Sequence, residues 1–286
     1  MSKINAFTWF SLFCSIHLIS GVAFAKEAVC FDAKNGFFIR TPKGWSLDTD
    51  ATARLGYCAV FRKEEFNFYT SPAGIYVRLL SYSKRNVKGE LDLIKFIDED
   101  LEPFQMRTND RAQVHVEKDW VGKKSVSFLI RVLSEGPSPN AYEKIAYHGA
   151  TEAVLLVVLT VRGAFDIERF KTDFEEVLTG VVPRVRAELY KMLREWSEID
   201  KTSREGKKYP DFFTKRMNPI LKKAGQDCNV TESEPATGVL TIAKNGKIMA
   251  WIGENSAPSE DCIKRQVKTW ISPKPPFAPY FLFLKF

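Results

Sequence analysis

Hydrophobic and polar residues alternate along the first half of the chain as they do in strands, and the period turns helical twice. Phe37-Phe38-Ile39-Arg40 reads as a strand running into Thr41-Pro42-Lys43-Gly44-Trp45, where Pro and Gly mark a turn. Tyr57–Arg62 and Ile75–Tyr82, rich in β-branched and aromatic residues, predict two more strands. Leu91, Ile94, Ile97 and Leu101 then recur at helical spacing, and Pro103 predicts the end of that helix. Strands return at Gln113–Val116 and Ser125–Val132. Tyr142–Tyr147 and Glu152–Val161 predict a hairpin. The run Ala153–Val161 is apolar throughout, so its strand should be covered on both faces. Asp166 is placed to cap a second helix, whose stripe is Ile167, Phe170, Phe174 and Val177/Leu178. Strands, helix, strands, helix is the order of an α+β domain: an antiparallel sheet with helices packed on it.

Pro183 opens a different stretch. Val185, Leu189, Met192/Leu193, Trp196 and Ile199 line one face of an amphipathic helix, and the polar run Lys201–Lys208, with Gly206, reads as a linker. Beyond it, Phe212, Phe213, Met217, Ile220 and Leu221 predict a helix interrupted at Asn218-Pro219. Gly238–Ala243 and Ile248–Ile252 predict strands joined across Asn245-Gly246. Ser256 and Pro258 open a helix carrying Ile263, Val267, Trp270 and Ile271, and Tyr280–Phe286 reads as a closing strand. The expected units are therefore 26–183, a connecting helix and linker at 184–208, and a small αββαβ unit at 209–286.

The first 25 residues stand apart. Lys3 precedes an apolar run to Ile19, Ser20-Gly21 follows, and Ala23-Phe24-Ala25 has the small-x-small form of a cleavage site. This is the layout of a secretory signal peptide, with cleavage expected after Ala25. The alternative is an uncleaved anchor, because no residue from Ile4 to Ala25 carries a formal charge. Export would place the four remaining cysteines, Cys30, Cys58, Cys228 and Cys262, in an oxidising compartment. The pairing that keeps each bridge inside one expected unit is Cys30–Cys58 with Cys228–Cys262. Buried free thiols are the alternative.

Composition excludes collagen-like and low-complexity classes, since Gly and Pro number only 16 and 14 among 286 residues. Charge is unevenly placed: the formal net charge is +7, and the basic excess falls after residue 184. Such a face meets anionic lipid, an acidic polymer or an acidic protein, or is merely solvated. Export makes nucleic acid an unexpected partner. Catalytic signatures are missing. His115 and His148 are the histidines beyond the leader, there is no Gly-x-Ser-x-Gly elbow, and metal-ligand spacings are absent. The carboxylate run Asp98-Glu99-Asp100 with Glu102 lies on a helix, so its members radiate from the axis and do not converge. No catalytic residue, cofactor or metal is expected.

The strand Gly238–Ala243, the turn at Asn245-Gly246, the helix Asp261–Trp270 with Cys262, the run Pro275-Pro276-Phe277 and the aromatic last strand together resemble the TonB/TolA-type C-terminal domain, in particular its gliding-motility-like subset. The resemblance implies a protein-binding end that offers a strand edge to an extended peptide, here Tyr280, Phe281, Leu282, Phe283 and Leu284. Members keep an N-terminal anchor and a long spacer. This chain is expected to lose the first and has no such spacer, so binding is what the resemblance carries over, not energy transduction. Phe38–Trp45 and the late apolar strand with its Phe170/Phe174 helix resemble the PsbP/Mog1-like α/β/α sandwich, whose members are mostly accessory or binding domains. The expected function is that of an exported envelope protein acting by protein–protein contact with an envelope protein or peptide. The alternatives are an inner-membrane-anchored relay and a secreted enzyme without a recognisable motif.

Overall fold

The computed structural model describes residues 27–286 apart from 32–35, 108–113, 118–119, 122–125, 134–140, 163–166 and 255–257. The leader and its cleavage site, Gln113, Ser125, the Asp166 cap and Ser256 lie outside the described residues.

In chain order the elements begin with β1 (Ala28–Phe31), β2 (Gly36–Ile39), β3 (Trp45–Leu47), α1 (Thr49–Leu55), β4 (Ala59–Lys63), β5 (Ala73–Ser81) and α2 (Leu93–Arg107). They continue with β6 (Val114–Val116), β7 (Trp120–Val121), β8 (Ser127–Leu133), β9 (Ala141–Gly149), β10 (Ala153–Arg162), α3 (Lys171–Gly180) and β11 (Val182–Arg184). The last third holds α4 (Arg186–Thr202), α5 (Tyr209–Asp227), β12 (Thr237–Ile242), β13 (Ile248–Gly253), α6 (Pro258–Val267) and β14 (Tyr280–Lys285). The molecule is α+β, and all the strand pairings are antiparallel.

The large sheet runs β3-β4-β5-β10-β9-β8-β6, with β7 also on β8. The apolar run forms its centre: β10 pairs β5 on one side and β9 on the other, and Ala153 to Leu159 are all buried. One face carries Phe61, Ile75, Phe128, Leu155 and Val157 against β2 and the stripe Phe170, Phe174, Val177 and Leu178. The other is covered by α2 through Phe96, Ile97 and Leu101.

Two features depart from the pattern. A second sheet, β1-β2-β11, packs beside the first, so Phe37–Ile39 does not belong to the large sheet. Helix α1, absent from the sequence reading, joins β3 to β4. Its Asp48 cap accepts from the Ala51 N–H at 2.8 Å, and Gly56 ends it with φ 69°.

Both helices expected to break at proline continue instead. Pro103 lies inside α2 and Pro219 inside α5. Each proline is exposed, and so are Glu99 and Lys215 four residues earlier. Both prolines therefore lie on the solvent side of their helices.

The last sheet has the order β13-β12-β14. Helices α5 and α6 cover one face, burying Phe213, Met217, Leu240, Trp251, Ile263 and Leu282. Helix α4 covers the other through Leu189, Tyr190 and Leu193, against Val239, Ile252 and Phe281. Gly238 fits beneath the Trp251 indole, where a Cβ would lie 2.4 Å from the ring. The polar run 203–208 forms a tight turn. Gly206 is buried there, and a Cβ on it would lie 2.0 Å from the Asp200 carbonyl oxygen.

Both disulfides are formed in the pairing expected, Cys30–Cys58 and Cys228–Cys262. The first ties the small sheet to the chain entering β4. The second ties the end of α5 to α6.

Candidate functional site

Among the described residues no helix is long and apolar enough to cross a membrane, and no group of three His, Cys, Asp or Glu side chains is placed to hold a metal ion. The places that could receive a partner are strand edges and one cleft.

Strand β14 pairs only with β12, with Ile242 opposite Tyr280 and Gly238 opposite Leu284. Its side chains divide between the two faces. Tyr280 and Leu282 enter the α5/α6 core with Leu284 packed against it, while Phe281 and Phe283 meet α4. Tyr280 also donates to the Gly206 carbonyl at 3.1 Å and sits 4.6 Å from the Tyr209 ring. The strand's open part is therefore backbone. The Phe281 N–H donates to Asp200 Oδ2 at 2.8 Å, away from β12. In an antiparallel ladder the inward and outward groups alternate, so the backbone groups of Phe283 and Lys285 point outward with those of Phe281. Asp200 caps one end of this edge and leaves the Phe283–Lys285 part unpaired among the described residues. The Arg194 guanidinium lies 4.9 Å over the Phe283 ring beside it.

A cleft of about 710 Å³ separates β1, α1 and the end of β5 from β13 and α6. Val29, Leu55, Leu79, Leu80 and Met249 give it apolar walls. Arg78, Lys247, Lys264 and Lys268 are its cations, and Glu27, held by Arg40 at 3.7 Å, is its one carboxylate. Lys247–Trp251 line it consecutively, which for a strand means that the edge, and not one face, borders the space. That edge is closed at both ends. Lys247 bridges Ile271, and Arg186 donates to the Gly253 carbonyl at 3.3 Å. The sequence could not show this cleft, because its walls are far apart along the chain. Its cysteine, Cys58, is bonded to Cys30, and no histidine lines it.

Beside the cleft, the α2-covered face of the large sheet holds a polar cluster. Glu143, 2% exposed, accepts from Thr160 Oγ1 at 2.7 Å and from the Tyr76 hydroxyl at 3.1 Å. Burial raises its pKa above the usual carboxylate range against the lowering effect of those two bonds. Asp100 accepts from the Tyr147 hydroxyl at 2.9 Å, and burial raises its pKa as well. The carboxylate run therefore does radiate: Glu99 faces outward to Lys84 at 2.6 Å while Asp100 turns inward. Hydroxyls answer both inner carboxylates. His115 is exposed on β6, and His148 Nδ1 lies 2.9 Å from the Ser127 carbonyl.

No family model matches the chain, and no curated protein matches it. Among solved structures it is similar to cyanobacterial PsbP (CyanoP) from Synechocystis sp. PCC 6803, with 14% identity over 57% of this chain and 95% of that one, at a TM-score of 0.38. The Ran-binding protein Mog1p of Saccharomyces cerevisiae shares 13% identity over 51% of this chain and 89% of its own, at a TM-score of 0.31. A Bacteroides thetaiotaomicron protein shares 10% over 58% and 59%, at 0.26. CyanoP and Mog1p are of the kind that the Phe38–Trp45 stretch resembles.

Proposed function

We propose that the chain is an exported, non-enzymatic envelope protein that works by binding an extended polypeptide segment along the outer edge of β14, in the manner of TonB-like C-terminal domains. The observation carrying this reading is the alternation fixed by the Phe281–Asp200 bond, which leaves the Phe283–Lys285 backbone facing outward on an otherwise finished sheet. An incoming strand gains main-chain hydrogen bonds there without disturbing either core. The two disulfides support an oxidising compartment, periplasmic or extracellular. We take the working units of the mature protein as 26–183 and 209–286, joined by 184–208, whose helix α4 packs on the last sheet.

The test is a photo-crosslinking residue placed at Lys285 in cells that make the protein. Capture of one envelope protein, competed by a proline-free peptide from it and not by the same peptide with alternate residues N-methylated, is the expected result. Equal capture from a probe at the exposed Lys88, in the loop that follows β5, would overturn it. N-terminal sequencing separates the exported form, starting at Lys26, from the anchored relay.

A further inference from the structure

Part of the basic excess of the last third of the chain gathers on one helix. Helix α5 buries Tyr209, Phe213, Met217 and Ala224 against the sheet. On the opposite side Lys208, Lys215 and Lys222 follow one another at a spacing of seven. At 3.6 residues per turn this spacing stacks them on one line, displaced by about 20° per step. Arg216 and Lys223 lie about 100° round the helix from that line, both on the same side of it, and all five cations are exposed. The helix has only two carboxylates, Asp211 and Asp227, and Asp227 is engaged by Lys223 at 2.9 Å. Phe212 stands between the lysine line and that pair, 46% exposed, with the Arg216 guanidinium 5.7 Å from its ring. Ile220, 41% exposed, falls at the margin of the buried face.

Lys223 is engaged by Asp227, so Phe212 stands beside four cations that have no ion pair among the described residues. Cations beside an exposed aromatic side chain suit a surface that is anionic at its boundary and apolar just beneath, which is the outer layer of a bilayer. A soluble polyanion satisfies the charges and leaves Phe212 in water. We infer that this face of α5 docks the protein on an anionic lipid surface, with Lys208, Lys215, Lys222 and Arg216 at the headgroups and Phe212 entering the interface. The inference stands independently of what β14 binds.

The experiment is sedimentation of the disulfide-intact mature protein with vesicles of phosphatidylcholine alone or with phosphatidylglycerol. Partitioning is expected only on the anionic vesicles and is expected to weaken steeply between about 50 and about 500 mM salt. Each lysine near such a surface accounts for about a fivefold change, so Lys215→Gln with Lys222→Gln should lower the partition coefficient about 25-fold. Phe212→Ala should lower it further, by about threefold, while leaving binding to soluble polyglutamate unchanged. Circular dichroism of each variant serves as the folding control, since these side chains are exposed. Equal binding to neutral vesicles, no loss in the double-lysine variant, or a Phe212→Ala variant that partitions like the parent would each overturn the inference. The last result assigns the face to a soluble polyanion.

Discussion

The large sheet and the small one solve the same problem in different ways. Each must bury both of its faces. The large sheet has seven strands in its main path and tolerates ionisable groups inside: Glu143 and Lys144 are consecutive on β9, each 2% exposed. Consecutive strand residues face opposite sides, so each finds separate partners. Glu143 takes two hydroxyls on the α2 side, while the Lys144 ammonium lies 2.8 Å from Glu117 and 3.6 Å from Glu168 on the other. The three-stranded sheet has less room. It buries mainly aromatic and aliphatic side chains, and its principal buried charge is Glu260, met at 3.5 Å by Arg186 beside the Gly253 backbone. Most of its remaining charges lie on the outer sides of α4, α5 and α6. A wide sheet can supply partners for buried polar groups from its own neighbours, whereas a narrow one depends on helices and covalent bracing.

The largest effect that separates the two is loss of a bridge. Closing loops of 28 and 34 residues contributes about 3–4 kcal/mol each on a chain-entropy account. Replacing Cys228 and Cys262 by serine should therefore lower the urea midpoint strongly. Amide exchange in β12 should report melting of the last sheet before exchange in β10 reports loss of the large one. The Cys30→Ser/Cys58→Ser variant should leave that order reversed or the transitions merged. Identical, fully cooperative curves for both variants would show that the narrow sheet does not depend more on its brace.

Next comes pH. The folded-state pKa of Glu143 is raised, so the folded protein holds its proton more tightly than the unfolded chain does. The group's stabilising contribution is complete below the ordinary carboxylate range and is lost as pH rises through the folded value. Glu143→Gln should flatten that dependence, gaining about 1–2 kcal/mol relative to the parent at about pH 8 compared with about pH 4.5. Denaturant titrations at the two pH values measure it, and a parallel offset at both would refute the assignment.

The smallest effect concerns the β14 edge. Asp200→Ala removes the acceptor of the Phe281 N–H and should cost about 1 kcal/mol. Amide exchange at Phe281 should quicken, and exchange at Leu282, which faces β12, should not. Equal quickening at both would mean that the whole strand had loosened.

Much of this architecture was legible in the residues. The hairpin of β9 and β10 followed from alternation beside an apolar run. The Phe170/Phe174 stripe followed from helical period, and the disulfide pairing from keeping each bridge local. The misses have physical causes. Strands β1 and β11 have four and three residues, too few for a period to declare itself. Helix α1 is an Ala/Thr segment without an apolar stripe, betrayed only by Asp48 and Gly56 at its ends. Pro103 read as a terminator and Pro219 as an interruption because the sequence does not show which side of each helix faces water. The cleft and the Glu143 cluster arise from contacts between distant segments. The charge excess was visible in the composition, and the gathering of part of it on one face of α5 became visible only once Phe213 and Met217 fixed which side of the helix is inward.

The neighbouring pair Glu143 and Lys144 has a consequence for assembly. Strand β10 is apolar on both sides and would accept its neighbour almost equally well if that neighbour were offset by one position. Such an offset turns Glu143 toward Glu117 and Glu168, gathering three carboxylates beside the single ammonium of Lys171, and leaves the lysine against Tyr76 and Thr160. Two adjacent opposite charges thus act as a key that fits the greasy central strand best in one position.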